Sequence, residues 1–188
     1  GYSYQDLNDG NFFIDTDTGS VLICDNDNVA PYGTSLGIAG KARYMAPEVV
    51  RSKMRPDNIT DRFSLAVVLF LLFFRNHPLE GQRLVQCPCL TEELELKFYG
   101  KDPVFICDPE RDNNRPVPDV HDNVIRLWPL FPAFFREIFQ KVFSKDCLHR
   151  DRNRPTDNEW QIALTNLRSC IATCPNCDQE TFMDESLG

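Results

Sequence analysis

The stretch YQDLNDGNFFID, residues 4–15, sets an acidic, amide-rich turn directly against a run of hydrophobic residues. Asp6 and Asn11 are separated by Leu7, Asn8, Asp9 and Gly10. Asn, Asp and Gly favour side-chain-to-backbone bonds and left-handed backbone, so the segment reads as a tight loop. Phe12, Phe13 and Ile14 then read as a short buried strand. One loop thus offers two oxygen-bearing side chains, Asp6 and Asn11, over an apolar base. A plain turn is the alternative reading of the same residues.

Outward from this loop the pattern is strand, turn, strand. The DTDTGS turn (15–20) separates Phe12–Ile14 from Val21–Cys24, which predicts a hairpin that delivers Asp25 at its far end. Residues 26–43 lack helical periodicity and read as a long loop. A short helix opened by Pro47 is expected over Ala46–Arg51, and Thr60 is the expected cap of a helix starting near Asp61. That helix carries LAVVLFLLFF (65–74), which has no polar face and should be covered on every side by protein. Five prolines between 88 and 118 predict irregular structure after HPLEG (77–81) to about Asp122. Amphipathic spacing predicts a helix over Pro132–Phe143, and a last one from Asp157 or Asn158 to Cys170.

The 188 residues, 42% of them hydrophobic, suit one folded domain. A formal charge of −8 offers no basic face for phosphate neutralisation, so nucleic acid is not an expected partner. The longest apolar run is about half of the roughly 20 residues a bilayer span requires, so no membrane partner is expected either. Eight cysteines without a signal peptide, among them Cys24 and Cys107 in apolar surroundings, are read as a reducing, cytoplasmic setting.

Further motifs follow in order: Asp25 at a strand end, GKARYMAPEVV (40–50), DRFSLAVVLF (61–70) and NRPT (153–156). Together with DLNDGN (6–11) they resemble the C-terminal lobe of a eukaryotic-like protein kinase. DND (25–27) in place of the usual D-F-G, SLAV (64–67) and HPLEG (77–81) are similar to a bacterial subgroup of serine/threonine kinases. The fold class this implies is mainly α, a kinase-like C-terminal lobe over residues 1–170 with a small β-hairpin around the catalytic loop. Residues 171–188 are expected to form a tail. The glycine-rich strands, their lysine and its partner glutamate are missing, so the N-terminal lobe is expected upstream, and the lobe alone is expected to be inactive.

The resemblance implies transfer of the γ-phosphate of ATP to a protein hydroxyl, with Ser or Thr as the expected acceptor. Asp6 would orient the attacking hydroxyl, and Asn11 and Asp25 would hold Mg²⁺ against the nucleotide. Glu48 would pair with Arg154, and Asp61 would hold the catalytic-loop backbone. Tyr4 and Gln5 replace the usual His and Arg, removing the receptor for an activation-loop phosphate. Asn8 replaces a phosphate-contacting lysine, a charge that Lys41 could restore. The departures keep a pseudokinase that binds partners or nucleotide as the alternative. Partners are therefore a protein substrate, the upstream lobe and, through exposed apolar surface, a second copy of the lobe.

CIATCPNCDQETF (170–182) places Cys170, Cys174 and Cys177 at C-x₃-C-x₂-C spacing. Two thiolates flanking a tight turn can share a tetrahedral zinc ion, which makes these residues zinc candidates, with a frayed tail as the alternative.

Overall fold

The computed structural model describes residues 1–34, 40–149 and 152–183. The chain opens with β1 (Tyr2–Tyr4), β2 (Phe12–Ile14), β3 (Val21–Ile23) and β4 (Val29–Pro31). They make separate antiparallel pairs: β1 with β4, from Tyr2↔Pro31 to Tyr4↔Val29, and β2 with β3, from Phe12↔Ile23 to Ile14↔Val21. The β2–β3 turn closes because Asp15 accepts the N–H of Asp17 and the hydroxyl of Thr18, while Gly19 takes a left-handed φ of 71°. The β2 strand is not buried as expected: Phe13 and Ile14 are 60% and 50% exposed, since no described residue covers the hairpin's outer face.

Helices follow. Pro47 opens α1 (Pro47–Val50), where its missing N–H costs nothing. The long α2 (Asn58–Phe74) begins earlier than its sequence suggests. Asp57 is the cap, accepting the N–H groups of Ile59 and Thr60, and the Thr60 hydroxyl returns the favour to the Asp57 N–H. Thr60 is thus the second member of a capping box rather than the cap. The proline-bearing stretch is less irregular than expected. It holds α3 (Gln82–Val85), α4 (Glu92–Glu95) capped by Thr91, and a π-helical turn over Leu96–Lys101. Then come α5 (Asp122–Leu127), α6 (Ala133–Val142), α7 (Lys145–His149) and α8 (Asp157–Ser169), the last opened by a Thr156/Glu159 capping box.

The core is aromatic. Phe70 of α2 lies 4.6 Å from Phe74, 5.3 Å from Phe139 and 5.5 Å from Phe105 between ring centroids, and Phe139 lies 5.0 Å from Trp160 of α8. These edge-on and tilted contacts join α2, α6 and α8 into one packed body. The opposite side of α2 departs from expectation. Leu65, Val68, Leu69 and Leu72 face Phe12, Ile14 and Val21 across an open groove of about 420 Å³, with Leu72 54% exposed. Leu65, Val68 and Leu69 are half-buried, so the described residues cover this face only in part.

The C-terminal stretch is also more ordered than a frayed tail. β5 (Ile171–Thr173) and β6 (Glu180–Phe182) pair antiparallel, and the Phe182 ring packs 4.9 Å from Phe131. No helix among the described residues is long and apolar enough to cross a membrane.

Candidate active site

The loop between β1 and β2 is built by its own side chains. Asn8, buried, accepts the Gly10 N–H at 2.9 Å and donates to the Asp6 carbonyl at 3.0 Å. The Asn11 amide donates to the same carbonyl at 2.8 Å and approaches a carboxylate oxygen of Asp6 at 3.3 Å. Asp6 and Asn11 are therefore neighbours in space, and the asparagine's carbonyl oxygen is the atom of its amide suited to a cation.

Asp25 follows β3 in the left-handed region, at φ 60° and ψ 52°. This is a costly conformation for a residue with a Cβ, tolerated best by Asn and Asp, and its backbone is pinned. The Asp25 carbonyl accepts from the Tyr4 hydroxyl and from the backbone and side chain of Asn28, each at 3.3 Å. Tyr4 donates more closely to the Cys24 carbonyl, at 2.5 Å. The Tyr4 N–H is in turn received by Asp61 of α2 at 2.9 Å. Burial, with smaller contributions from Asp57 and Asp157 and opposed by that N–H, raises the Asp61 carboxyl to about 7.

The segment leading into α1 is fastened on several sides. Gln5 donates to the Thr34 carbonyl at 2.7 Å, and Arg55 donates to the Gly33 carbonyl at 2.7 Å. Tyr44 donates to Asp9 at 2.7 Å, while its carbonyl receives the Ser64 hydroxyl at 2.8 Å. His77, fully buried, bridges the Arg43 carbonyl at 2.7 Å and the Leu79 N–H at 3.2 Å. Nδ1 therefore accepts and Nε2 carries the proton. Burial depresses this imidazole to about 4, so it is neutral at pH 7. Glu80 adds an ion pair to Arg43 at 3.0 Å and receives the Tyr99 hydroxyl at 2.7 Å.

Glu48 and Arg154 are joined by two parallel bonds of 2.8 Å, with Arg154 stacked 5.1 Å from the Phe63 ring. Arg152 reaches Glu48 at 3.2 Å and grips the α2 cap residue Asp57 at 2.6 and 2.7 Å. Burial pushes the Glu48 carboxyl up, but its two arginines outweigh burial and hold it below the usual range.

A model of the protein kinase domain matches residues 1–156 of this sequence. The chain belongs to the protein kinase domain family. It is also 33% identical over 108 residues to G protein-coupled receptor kinase 2 of Caenorhabditis elegans, a match covering 52% of this chain and 15% of that relative.

In this protein kinase chain a polar cleft of about 430 Å³ adjoins the loop, lined among others by Gln5, Gly40, Met45, Lys53 and Arg55. Lys41 is exposed, and its ammonium has no ion-pair partner among the described residues. Cys170 does not converge with Cys174 and Cys177 as the zinc reading required. Among the described residues no group of three or more His, Cys, Asp or Glu could hold a metal.

Several residues of the candidate site escape sequence reasoning. Tyr4 reads as a missing histidine, yet its hydroxyl spans to the Asp25 backbone. Asn8 reads as a missing charge, yet it shapes the loop. Arg152, two residues before Arg154 and joined to it by a backbone bond of 2.8 Å, carries no motif that marks its role. His77 reads as a helix-end residue, whereas it fastens the Arg43 backbone.

Proposed function

We propose that this chain is the helical C-terminal lobe of a protein kinase which, together with an upstream lobe in the intact protein, transfers the γ-phosphoryl group of ATP to a serine or threonine hydroxyl. The observation that carries the reading is the pairing of Asp6 with Asn11 in one self-braced loop, beside an Asp25 whose backbone is tied to that loop through Tyr4.

The acceptor hydroxyl attacks the γ-phosphorus, its new O–P bond forms as the bond to the β-phosphate oxygen breaks, and ADP leaves. Asp6 orients the hydroxyl and takes its proton. Asn11 and Asp25 supply the amide and carboxylate oxygens suited to Mg²⁺, whose charge would neutralise the phosphates. Lys41, exposed and without an ion-pair partner among the described residues, would supply the positive charge that Asn8 does not provide. The polar cleft beside Gln5 is where the protein acceptor would dock. In this reading the chain by itself transfers phosphate poorly, because positioning and electrostatic stabilisation supply nearly all of the catalysis. It would act in the cytoplasm.

The test is ATP-dependent phosphorylation by the intact protein with Mg²⁺ varied. Loss of at least about 100-fold in both Asp6→Ala and Asp25→Ala supports the reading. Transfer that survives either change overturns it. The substitutions Asn26 and Asn8 favour a second reading, a pseudokinase, which absent transfer with retained partner binding would establish.

A further inference from the structure

The loop that follows α1 is fixed by its own backbone. Ser52 takes a left-handed φ of 56° and its N–H bonds the Val49 carbonyl at 2.8 Å. The N–H groups of Lys53 and Met54 both meet the Glu48 carbonyl, at 3.0 and 3.3 Å. Arg55 donates to the Gly33 carbonyl at 2.7 Å. Lys53 and Arg55 are thereby set on the lining of the polar cleft, which Gln5, the chain neighbour of Asp6, also lines.

The charge of this cleft runs against that of the chain. The protein carries −8 overall, yet among the described residues no acidic side chain lines the cleft. The carboxylates nearest in sequence on either side of Lys53 and Arg55 are Glu48 and Asp57, and both are engaged elsewhere. Arg154 and Arg152 pair with Glu48, and Arg152 also grips Asp57 at 2.6 Å. Two guanidinium groups thus match two carboxylates. Lys53 and Arg55 are left exposed, with no ion-pair partner among the described residues. The Gly33 carbonyl that Arg55 meets is neutral and leaves its charge uncompensated.

An exposed cation is ordinarily just solvated. These two differ in their place: they line a cleft of about 430 Å³ whose lining includes the half-buried Met45 and Val49, beside the loop that carries Asp6. A cleft with charge of one sign focuses its field and draws ligands of the other. We propose that this cleft selects acidic acceptor polypeptides, an inference that rests on the reading of Asp6 as the residue that orients the acceptor hydroxyl. An anionic side chain within a few residues of the acceptor, a carboxylate or a phosphate ester, pairs with Lys53 and Arg55. Apolar atoms of the same peptide rest on Met45 and Val49.

The test uses the intact protein and peptides that share one serine acceptor and differ in its flanking residues, which are Glu, phosphoserine, Ala or Lys. Two quantities are measured: kcat/KM for transfer from ATP, and fluorescence anisotropy with the acceptor serine replaced by alanine. The expected result is a preference of about tenfold for Glu over Ala in both, with Lys poorest and the spread shrinking as salt rises. Lys53→Glu combined with Arg55→Glu should invert the order and make the Lys peptide the best. Loss of folding cannot produce such a gain. Whichever anionic peptide leads supports the proposal and names the source of the charge. No preference for acidic over neutral peptides, or a preference that the double change leaves intact, would overturn it. So would an oligonucleotide of equal charge that binds as tightly as the Glu peptide. Selective binding without transfer would sink the kinase reading and leave the acidic-peptide site standing; transfer without selectivity would do the reverse.

Discussion

The Tyr4 hydroxyl donates to the Cys24 carbonyl at 2.5 Å and reaches that of Asp25 at 3.3 Å, tying the strand before the acidic loop to the residue after β3. Outer groups that orient a metal ligand commonly matter about 10–100-fold in affinity or activity. Tyr4→Phe should therefore raise the Mg²⁺ concentration for half-maximal phosphotransfer by about tenfold in the intact protein, while its unfolding midpoint moves little. An unchanged Mg²⁺ dependence would assign Tyr4 to packing alone.

Asp61 and His77 make opposing contributions to pH stability. The Asp61 carboxyl rises from 3.8 to about 7 on folding, so the native state holds the extra proton between these values. Stability from this group falls as pH rises through that window. His77 is depressed from 6.5 to about 4, so the unfolded state holds the extra proton, and stability is lost as pH falls below 6.5. The His77 effect is worth about 3 kcal/mol by linkage. Asp61→Asn, which keeps an acceptor for the Tyr4 N–H, should make stability rise steadily from pH 4 to 6.5. His77→Gln should make it fall across the same range. Urea unfolding at intervals of half a pH unit measures both slopes.

Arg154→Met leaves the buried Glu48 carboxylate with only its longer contact to Arg152 and should destabilise the chain by about 3 kcal/mol. Glu48→Gln combined with Arg154→Met should cost less than the sum of the single changes, since no buried charge is left alone. The Glu48 carboxyl lies below its ordinary value in the folded state. Its stabilisation is present above the unfolded value and is lost as pH falls through the folded one. A double-mutant cycle in urea at pH 7 and pH 4 checks both statements.

Gly81 leaves no room for a side chain. Its added Cβ would overlap the Asn114 carbonyl oxygen, and Asn114 is fixed by donating to the Leu79 and Val104 carbonyls at 3.0 and 2.7 Å. The glycine backbone is not left-handed here, so the obstacle is space. Gly81→Ala should cost about 1–3 kcal/mol in a chemical denaturation experiment, as overpacking does.

The apolar groove beside α2 should drive self-association, because exposed contiguous apolar surface favours burial. Light scattering should show mass rising with concentration. Leu72→Glu together with Val21→Glu should hold the chain monomeric. A constant monomeric mass for the unaltered chain would exclude the groove as a contact surface.

Local patterning is where the sequence is most informative. The β2–β3 hairpin follows from two apolar runs separated by a polar, glycine-bearing turn, and the Phe135, Phe139, Val142 stripe of α6 from periodicity, which burial of one face enforces. The start of α2 is misread because Asp57 and Thr60 are both capping types, and only reciprocal bonding separates their roles. The short turns of α3 and α4 carry too few residues for periodicity to register among prolines. At the site, Asp6 and Asn11 are legible together because one loop contains them. Tyr4 with Cys24 and His77 with Arg43 are not, since each joins a side chain to a distant backbone carbonyl, a group every residue carries. The open face of α2 is illegible for a related reason: an apolar run states what must avoid water, not what is present to cover it.

The clasp between Glu48 and Arg154 spans 106 positions of chain. Closing a loop of that length costs about 4 kcal/mol in conformational entropy before any bond is gained. That cost is smallest once the aromatic core has brought the two ends together, so the clasp is expected to close after the folding barrier has been crossed. Its place is on the other side of that barrier: Arg154→Met should accelerate unfolding while leaving the refolding rate nearly unchanged. In kinetic terms the pair is a latch, setting how long the folded chain lasts rather than how quickly it forms.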